Sequence, residues 1–265
     1  MTIETPAVSL EMSHRVATLL LDRPSQGHAL SLELMRSLRH ALRRARDSDE
    51  VDLLVLRARG RHFCIGADIE WVKALATGEA VLWAEGIDEL LGLLGDLHAT
   101  DKPLLGVVQG SVIGGGVALA ALCDHVISID SARWRLPELS LGMVPTVVLP
   151  PLQQRVAPSH LLRLLHDERA WSAQELVAFG LVSECVAEAD LESTVSARLR
   201  AWRELPPKAF AAIKRLLREL AGDRMEHALA AVRTHAMASM QSEEASERVA
   251  ALMGRGQTRE RSVNV

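Results

Sequence analysis

The order of apolar and polar positions divides the chain into alternating strands and helices. Near the start, "VSLEM" and "VATLLLD" are apolar-rich stretches separated by Ser13-His14, which predicts a β-hairpin. From Leu32 to Arg46 apolar residues recur at helical spacing, and "VDLLVLRA" after them is a buried strand. "WAEGIDELLGLLGDLHA" returns to the helical period, "PLLGVVQG" is a second buried strand and "HVISID" a third. From Pro158 onward the pattern is helical nearly throughout, in pieces near 161–166, 172–179, 190–204, 207–221, 224–240 and 243–253. Strand–helix units followed by a helical end predict an α/β core over residues 1–200 and a helical region over 201–265.

One stretch breaks both periods. "GSVIGGGVALAALCD", Gly110 to Asp124, runs from a buried strand into a short helix through three consecutive glycines. A glycine run there lets backbone come close to a ligand with no Cβ in the way. The first amides of the following helix are unpaired and lie at the positive end of its dipole, suited to a phosphate or a developing oxyanion. The same residues also suit close packing of helix on strand. The spacing is neither G-x-G-x-x-G nor G-x-x-x-x-G-K-[ST], so it does not indicate a nucleotide. About fifty residues earlier, "RGRHFCIGADIEW" reads as a strand, a Gly-Ala turn and an Asp placed to cap the next helix. Two such turns on neighbouring strands can aim their amides at one atom.

Composition removes several alternatives. The net charge of −4 on 265 residues argues against nucleic acid as the main partner. Three scattered cysteines, Cys64, Cys123 and Cys185, suit a reducing cytoplasm rather than a disulfide framework. No basic-then-apolar leader opens the chain, and no apolar run approaches the ~20 residues that span a bilayer. With no tyrosine and three phenylalanines the core must be aliphatic, and a tyrosine acid is unavailable. No H-E-x-x-H or C-x-x-C spacing marks a metal site. "RHALRRARDSDE" reads as a solvated face.

Taken together and in order, the motifs resemble the crotonase superfamily, the enoyl-CoA hydratases and isomerases. The resemblance rests on "DRPSQGHAL" (R-P-x-x-x-N-A-L in the family), "RGRHFCIGADIEW", "KPLLGVVQGSVIGGGVALAALCD", "LPELSLGMVP" and "SAQELVAFGLVSECV", and covers residues 8–255. It implies a spiral of ββα units with a C-terminal helical trimerisation region, in trimers or hexamers. It implies an acyl thioester whose carbonyl oxygen is held by the backbone N–H groups of Ala67 and Gly115. Gln26, His28, Ala29, Gly66, Asp68, Ile69, Gly114 and Ala118 match positions around the thioester. No resident cofactor is implied, because CoA or phosphopantetheine arrives as part of the substrate.

Two departures from the family pattern narrow the chemistry. Of the two glutamates that family hydratases use, the first matches Ala118, which transfers no proton; the second matches Glu138. Apolar Leu139, Leu141 and Met143 around Glu138 should raise its pKa. The usual glycine-rich loop after it is replaced by "VPTVVLPPLQQRV", which resembles the hydratase-like dehydratases of polyketide β-branching cassettes. These act on 3-hydroxy-3-methylglutaryl groups on an acyl carrier protein. The resemblance therefore implies dehydration of a 3-hydroxyacyl thioester on CoA or carrier protein by one Glu. Allylic double-bond isomerisation is the alternative, and a non-catalytic thioester- or protein-binding relative a third. His28, which replaces the family Asn, and His62 read as structural. Lys208, Lys214, Arg215 and Arg218 either meet CoA phosphates or an acidic carrier helix, or form an ordinary amphipathic face.

Overall fold

The computed structural model describes residues 6–167, 169–222, 224–239 and 242–251. In chain order the strands are β1 (Val8–Ser13), β2 (Val16–Leu21), β3 (Leu53–Ala58), β4 (Leu104–Val108), β5 (Ser111–Ile113), β6 (His125–Ile129), β7 (Arg133–Arg135), β8 (Trp171–Ser172) and β9 (Glu184–Val186). The helices are α1 (Leu32–Asp47), α2 (Ile69–Thr77), α3 (Ala80–His98), α4 (Gly115–Ala121), α5 (Leu149–Gln153), α6 (Pro158–His166), α7 (Ala173–Ala178), α8 (Leu191–Arg203), α9 (Pro207–Ala221), α10 (Arg224–Ser239) and α11 (243–251). Among the described residues, a six-stranded sheet runs β1-β2-β3-β4-β6-β9, and a three-stranded sheet runs β5-β7-β8. After the antiparallel β1–β2 hairpin every pairing in the large sheet is parallel, with helices as crossovers.

The hairpin turn falls one residue later than predicted. His14 and Arg15 both have positive φ, 49° and 63°, the pairing that matches the right-handed twist of a two-residue hairpin. The core is mostly aliphatic, with Leu19, Leu54, Leu56, Leu105 and Ile127 of the sheet in one buried cluster with Leu34, Leu38 and Leu42 of α1, but Trp134, Trp171 and Phe63 are fully buried in it as well. The polar face of α1 is not simply solvated. Half-buried Arg39 donates to Glu89 at 2.7 Å and Asp96 at 2.8 Å, and Arg36 reaches Glu85 at 2.6 Å, so the face is ion-paired to α3.

Three expectations about strands are corrected. "PLLGVVQG" does not run straight into the glycines: β4 ends at Val108 and the chain turns at Gln109–Gly110 to join the small sheet as β5. Residues 61–68 form no strand and touch their neighbours through single bridges, Cys64 with Val112 and Ala67 with Leu30. The half after Pro158 also contains β8 and β9, strands of two and three residues, too short to show a period.

Helices α2, α3 and α10 are bolted together by two indoles. Trp71 Nε1 donates to Trp83 O at 3.2 Å, and Trp83 Nε1 donates to Ala236 O at 3.0 Å, with the two ring systems 5.2 Å apart. The Trp71 ring lies on the bare Cα of Gly86, where a Cβ would stand 2.2 Å from Nε1. Gly86→Ala is therefore expected to lower stability by about 1–3 kcal/mol through overpacking. Gly95→Ala in the same helix, whose Cβ meets only Leu229 Cδ1 at 3.8 Å, should be neutral or stabilising by about 0.5–1 kcal/mol. Denaturant midpoints of the two variants check this; equal midpoints would contradict the Trp71 contact.

Candidate active site

The site is assembled from four backbone segments laid side by side. Ile65 N donates to Gly27 O at 3.1 Å and Leu30 N to Gly66 O at 2.7 Å, joining segment 27–30 to 64–68. Ile113 N donates to Cys64 O at 2.9 Å, joining 64–68 to 111–115. Gly114 N donates to Arg135 O at 3.0 Å, joining that segment to β7. Glu138 comes three residues after Arg135, so the row carries its carboxylate toward the glycine turn.

Glycine makes this closeness possible. A Cβ on Gly116 would stand 2.5 Å from Cys64 O. Gly114 has φ 50° and ψ −114°, a conformation disfavoured for side chains, and a Cβ there would lie 2.8 Å from Glu138 Oε1. The Glu138 carboxyl thus rests on the bare Cα that opens α4.

Two amides in this row are free. Gly115 N is the first amide of α4, and Ala67 N precedes α2; neither donates to a backbone acceptor among the described residues. Asp68 caps α2 as expected, accepting from Glu70 N at 3.0 Å. Such amides, at the start of two helices, can hold an oxygen that carries negative charge.

The remaining predicted positions are arranged around this row. Ala29, Gly66, Gly114 and Ala118 are buried; Gln26 and Ile69 are exposed, and Asp68 is half-buried. His28 is completely buried, with φ 55° and no hydrogen-bond partner on either ring nitrogen among the described residues. Burial holds its pKa down, so the ring is a neutral wedge and any ligand contact from this position must come through backbone. His62 accepts from Ser111 N at 3.2 Å through Nδ1, a structural role that steadies β5. Cys64, between the turns, is buried with its thiol pushed up to about 12, and is no nucleophile.

Helix α4, Gly-Gly-Val-Ala-Leu-Ala-Ala, carries no ionisable group. Glu138 therefore stands without a carboxylate partner from that helix. Its Oε2 is sealed from solvent and has no hydrogen-bond partner among the described residues. Burial pushes the carboxyl up to about 7, opposed in part by a hydrogen bond from its own backbone. Leu141 and Met143 contribute to the apolar surroundings, whereas Leu139 turns outward. Among the described residues no group of three His, Cys, Asp or Glu is placed to hold a metal ion, and no helix is long and apolar enough to cross a membrane.

The C-terminal cations are engaged elsewhere. Lys214 is bonded to Asp124 at 2.7 Å, Arg215 to Asp101 at 2.6 Å, and Arg218 to Asp101 as well. They dock α9 on the loop before β4 and on Asp124 after α4, and Lys214 and Arg218 line a cleft of about 760 Å³ at the far end of α4 from the glycines.

The fold agrees with what comparison with known proteins finds. The enoyl-CoA hydratase/isomerase family model matches residues 11–259. The chain belongs to that family, within the crotonase superfamily. It is 30% identical to the crotonyl-CoA hydratase of Syntrophomonas wolfei over 69% of this chain and 70% of that protein. It is 31% identical to the carnitinyl-CoA dehydratase of Proteus mirabilis over 79% of this chain and 80% of that one. A solved enoyl-CoA hydratase from Bacillus halodurans shares the fold with a TM-score of 0.88 at 22% identity, covering 92% of this chain and 99% of that one. The protein is accordingly an acyl-thioester enzyme of the hydratase, dehydratase or isomerase kind. Sequence reasoning missed the role of β7, whose signal was the alternation Arg133, Trp134, Arg135, Leu136 directly before Glu138.

A carboxyl whose folded pKa is raised makes stability depend on pH in a definite direction. Between about pH 4.5 and about pH 7 the folded protein keeps a proton on Glu138 that the unfolded chain has released. Stability is lost across that window as pH rises. Glu138→Gln, which cannot titrate, should therefore gain on the wild type from about pH 4.5 upward and level off above about pH 7. Urea midpoints of both proteins from acid to neutral pH would measure the difference. A constant difference would mean the carboxyl is solvated.

Proposed function

We propose that the protein removes water from a 3-hydroxyacyl thioester, carried on CoA or on an acyl carrier protein, with Glu138 as its single acid–base group. The observation that carries this reading is the Glu138 carboxyl lying against Gly114, directly beside the free amide of Gly115, while α4 offers only Ala118 where a second carboxylate would stand. The thioester oxygen sits between the amides of Ala67 and Gly115. Glu138 takes the C2 proton, and the charge moves onto that oxygen. Preorganised donors in a dry site stabilise the enolate. The electron pair then returns, the C3–O bond breaks, and the same carboxyl hands its proton to the departing hydroxyl, which leaves as water.

An apolar wall supports one carboxylate better than two. A second would raise one of the two pKa values and would itself be costly to bury. The "VPTVVLPPLQQRV" segment has Val148 and Leu152 fully buried, and its resemblance to the matching stretch of the polyketide β-branching dehydratases is what favours a place in secondary metabolism. No resident cofactor enters this chemistry.

Glu138→Gln should lower turnover of 3-hydroxybutyryl-CoA or 3-hydroxy-3-methylglutaryl thioesters about 10²–10⁴-fold with binding retained. In the wild type the rate of water loss should rise with pH through about 7, since the base must be ionised. Mass spectrometry of both substrates on CoA and on carrier protein reads the product. Double-bond migration without water loss would assign an isomerase instead, and wild-type turnover in Glu138→Gln would sink the mechanism.

The helical end supports assembly with further copies of the chain. On α9, Ile213, Leu216, Leu217 and Leu220 follow i, i+3, i+4, i+7 spacing and are all more than half exposed, while Lys214, Arg215 and Arg218 tie the helix to the body. An apolar stripe facing outward needs cover. Identical copies in a trimer, or a hexamer of two trimers, would supply it. Light scattering should give a multiple of the 28.9 kDa chain mass. Leu216→Glu with Leu220→Glu should shift it to monomer. A stable wild-type monomer would refute the assembly.

A further inference from the structure

The turn that carries Glu138 is closed on Glu138 itself. Leu141 N and Met143 N donate to Glu138 O at 3.1 and 2.9 Å, and Gly142 N donates to Leu139 O at 3.0 Å. Any displacement of residues 140–142 is therefore passed to the residue that bears the carboxyl. That turn is packed against α11. Gly142 has φ 69°, and a Cβ there would stand 3.1 Å from Arg248 Cδ and 3.2 Å from both N and Cα of Ala245. Arg248 Nη1 donates to Ser140 O at 3.2 Å, and the guanidinium is steadied by Glu244 at 2.9 Å one turn earlier. On the inner side of α11, Ala245 and Val249 have no exposed surface.

We propose that α11 sets the position of Glu138 from outside the catalytic row, with Arg248 as a positioning residue that holds the Ser140 carbonyl and Ala245 as the surface on which Gly142 rests. The inference rests on Glu138 being the base. It assigns a catalytic purpose to a C-terminal helix that touches no reacting atom, and it gives Gly142 a reason to be glycine beyond its turn.

The charged groups around the turn make the consequence readable. On the packed elements these are Glu243, Glu244, Glu247 and Arg248 of α11, with Arg248 paired to Glu244, and Arg133 and Arg135 of β7; α4 contributes none. None of them contributes to the pKa of Glu138, which is set by burial. Loosening the turn admits water, so the carboxyl should titrate lower, toward its ordinary range.

The test compares Arg248→Ala, Arg248→Lys, Gly142→Ala and Glu138→Gln with the wild type as full chains whose folding is confirmed by circular dichroism. Infrared titration follows the carboxylic C=O band that disappears in Glu138→Gln, and needs no substrate. Turnover of 3-hydroxybutyryl-CoA or 3-hydroxy-3-methylglutaryl-CoA gives kcat and KM. Arg248→Ala should lower kcat roughly 3- to 10-fold, the loss of one hydrogen bond, with KM within about twofold. Its carboxyl titration should move down, and Arg248→Lys, which can still donate to Ser140 O, should restore most of both. Gly142→Ala should lose more, because its strain cannot be relieved without parting the turn from α11. If Arg248→Ala keeps the wild-type titration and kcat while Glu138→Gln is inactive, the positioning role is overturned and the base stands. If Arg248→Ala and Arg248→Lys lose kcat equally with the titration unmoved, the contact is only structural and the proposal fails. If Glu138→Gln turns over like the wild type, the reading underneath it fails whatever Arg248 does.

Discussion

The structure depends on one close approach of backbone to backbone, that of segment 64–66 to segment 111–116. With Gly116 the helix start comes within van der Waals contact of Cys64 O, a distance no side chain at that position would allow. From this contact the rest follows in sequence. Helix α4 begins where β5 ends, so its first amide is left free beside the turn that starts α2. β7 joins the row through Gly114, and the chain leaving β7 lays Glu138 on the Gly114 Cα. A Cβ at either glycine would part the segments and separate the amides from the carboxyl. Position here is carried by main chain, and Glu138, the base of the proposed mechanism, is the side chain that the main chain delivers to the row.

That organisation explains what could be read from the sequence. Long elements announced themselves by period: α1, α3 and the buried strands β3, β4 and β6 fell where their apolar spacing placed them, since each buries four residues or more. Asp68 and the glycine run were legible because capping and close approach demand particular residue types. Glu138 and Ala118 were legible only through the resemblance to a family. No local rule separates a loop glutamate that is sealed over from one that is solvated.

The misses share a different cause. β5, β7, β8 and β9 are three residues or fewer, and what holds them is pairing with distant segments rather than any pattern of their own. The sequence left open whether Lys214, Arg215 and Arg218 of α9 meet phosphate or form an ordinary face, because their acidic partners, Asp101 and Asp124, lie some ninety to more than a hundred residues away in the chain. The hold of α11 on the Glu138 turn was likewise invisible, since Gly142, Ala245 and Arg248 have no sequence proximity to suggest contact. Long-range electrostatic and steric partners are the information that a single sequence withholds.

Two opposing influences meet at the Glu138 carboxyl. The unpaired Gly115 amide at the start of α4 favours a negative charge, whereas removal from water disfavours it, and burial prevails because Oε2 finds no donor among the described residues. The result is a carboxyl balanced near neutrality, able both to take a proton and to return it, as a one-base elimination requires. Ala118 belongs to the same balance. A carboxylate there would add a second unsolvated charge to a wall made of Val117, Leu119 and Val148, and repulsion between the two would push one pKa further up, out of the range in which it ionises. The missing glutamate and the perturbed one are thus two sides of a single electrostatic arrangement: in the proposed one-base mechanism, Glu138 stays able to gain and lose a proton because no charged neighbour contributes to its pKa.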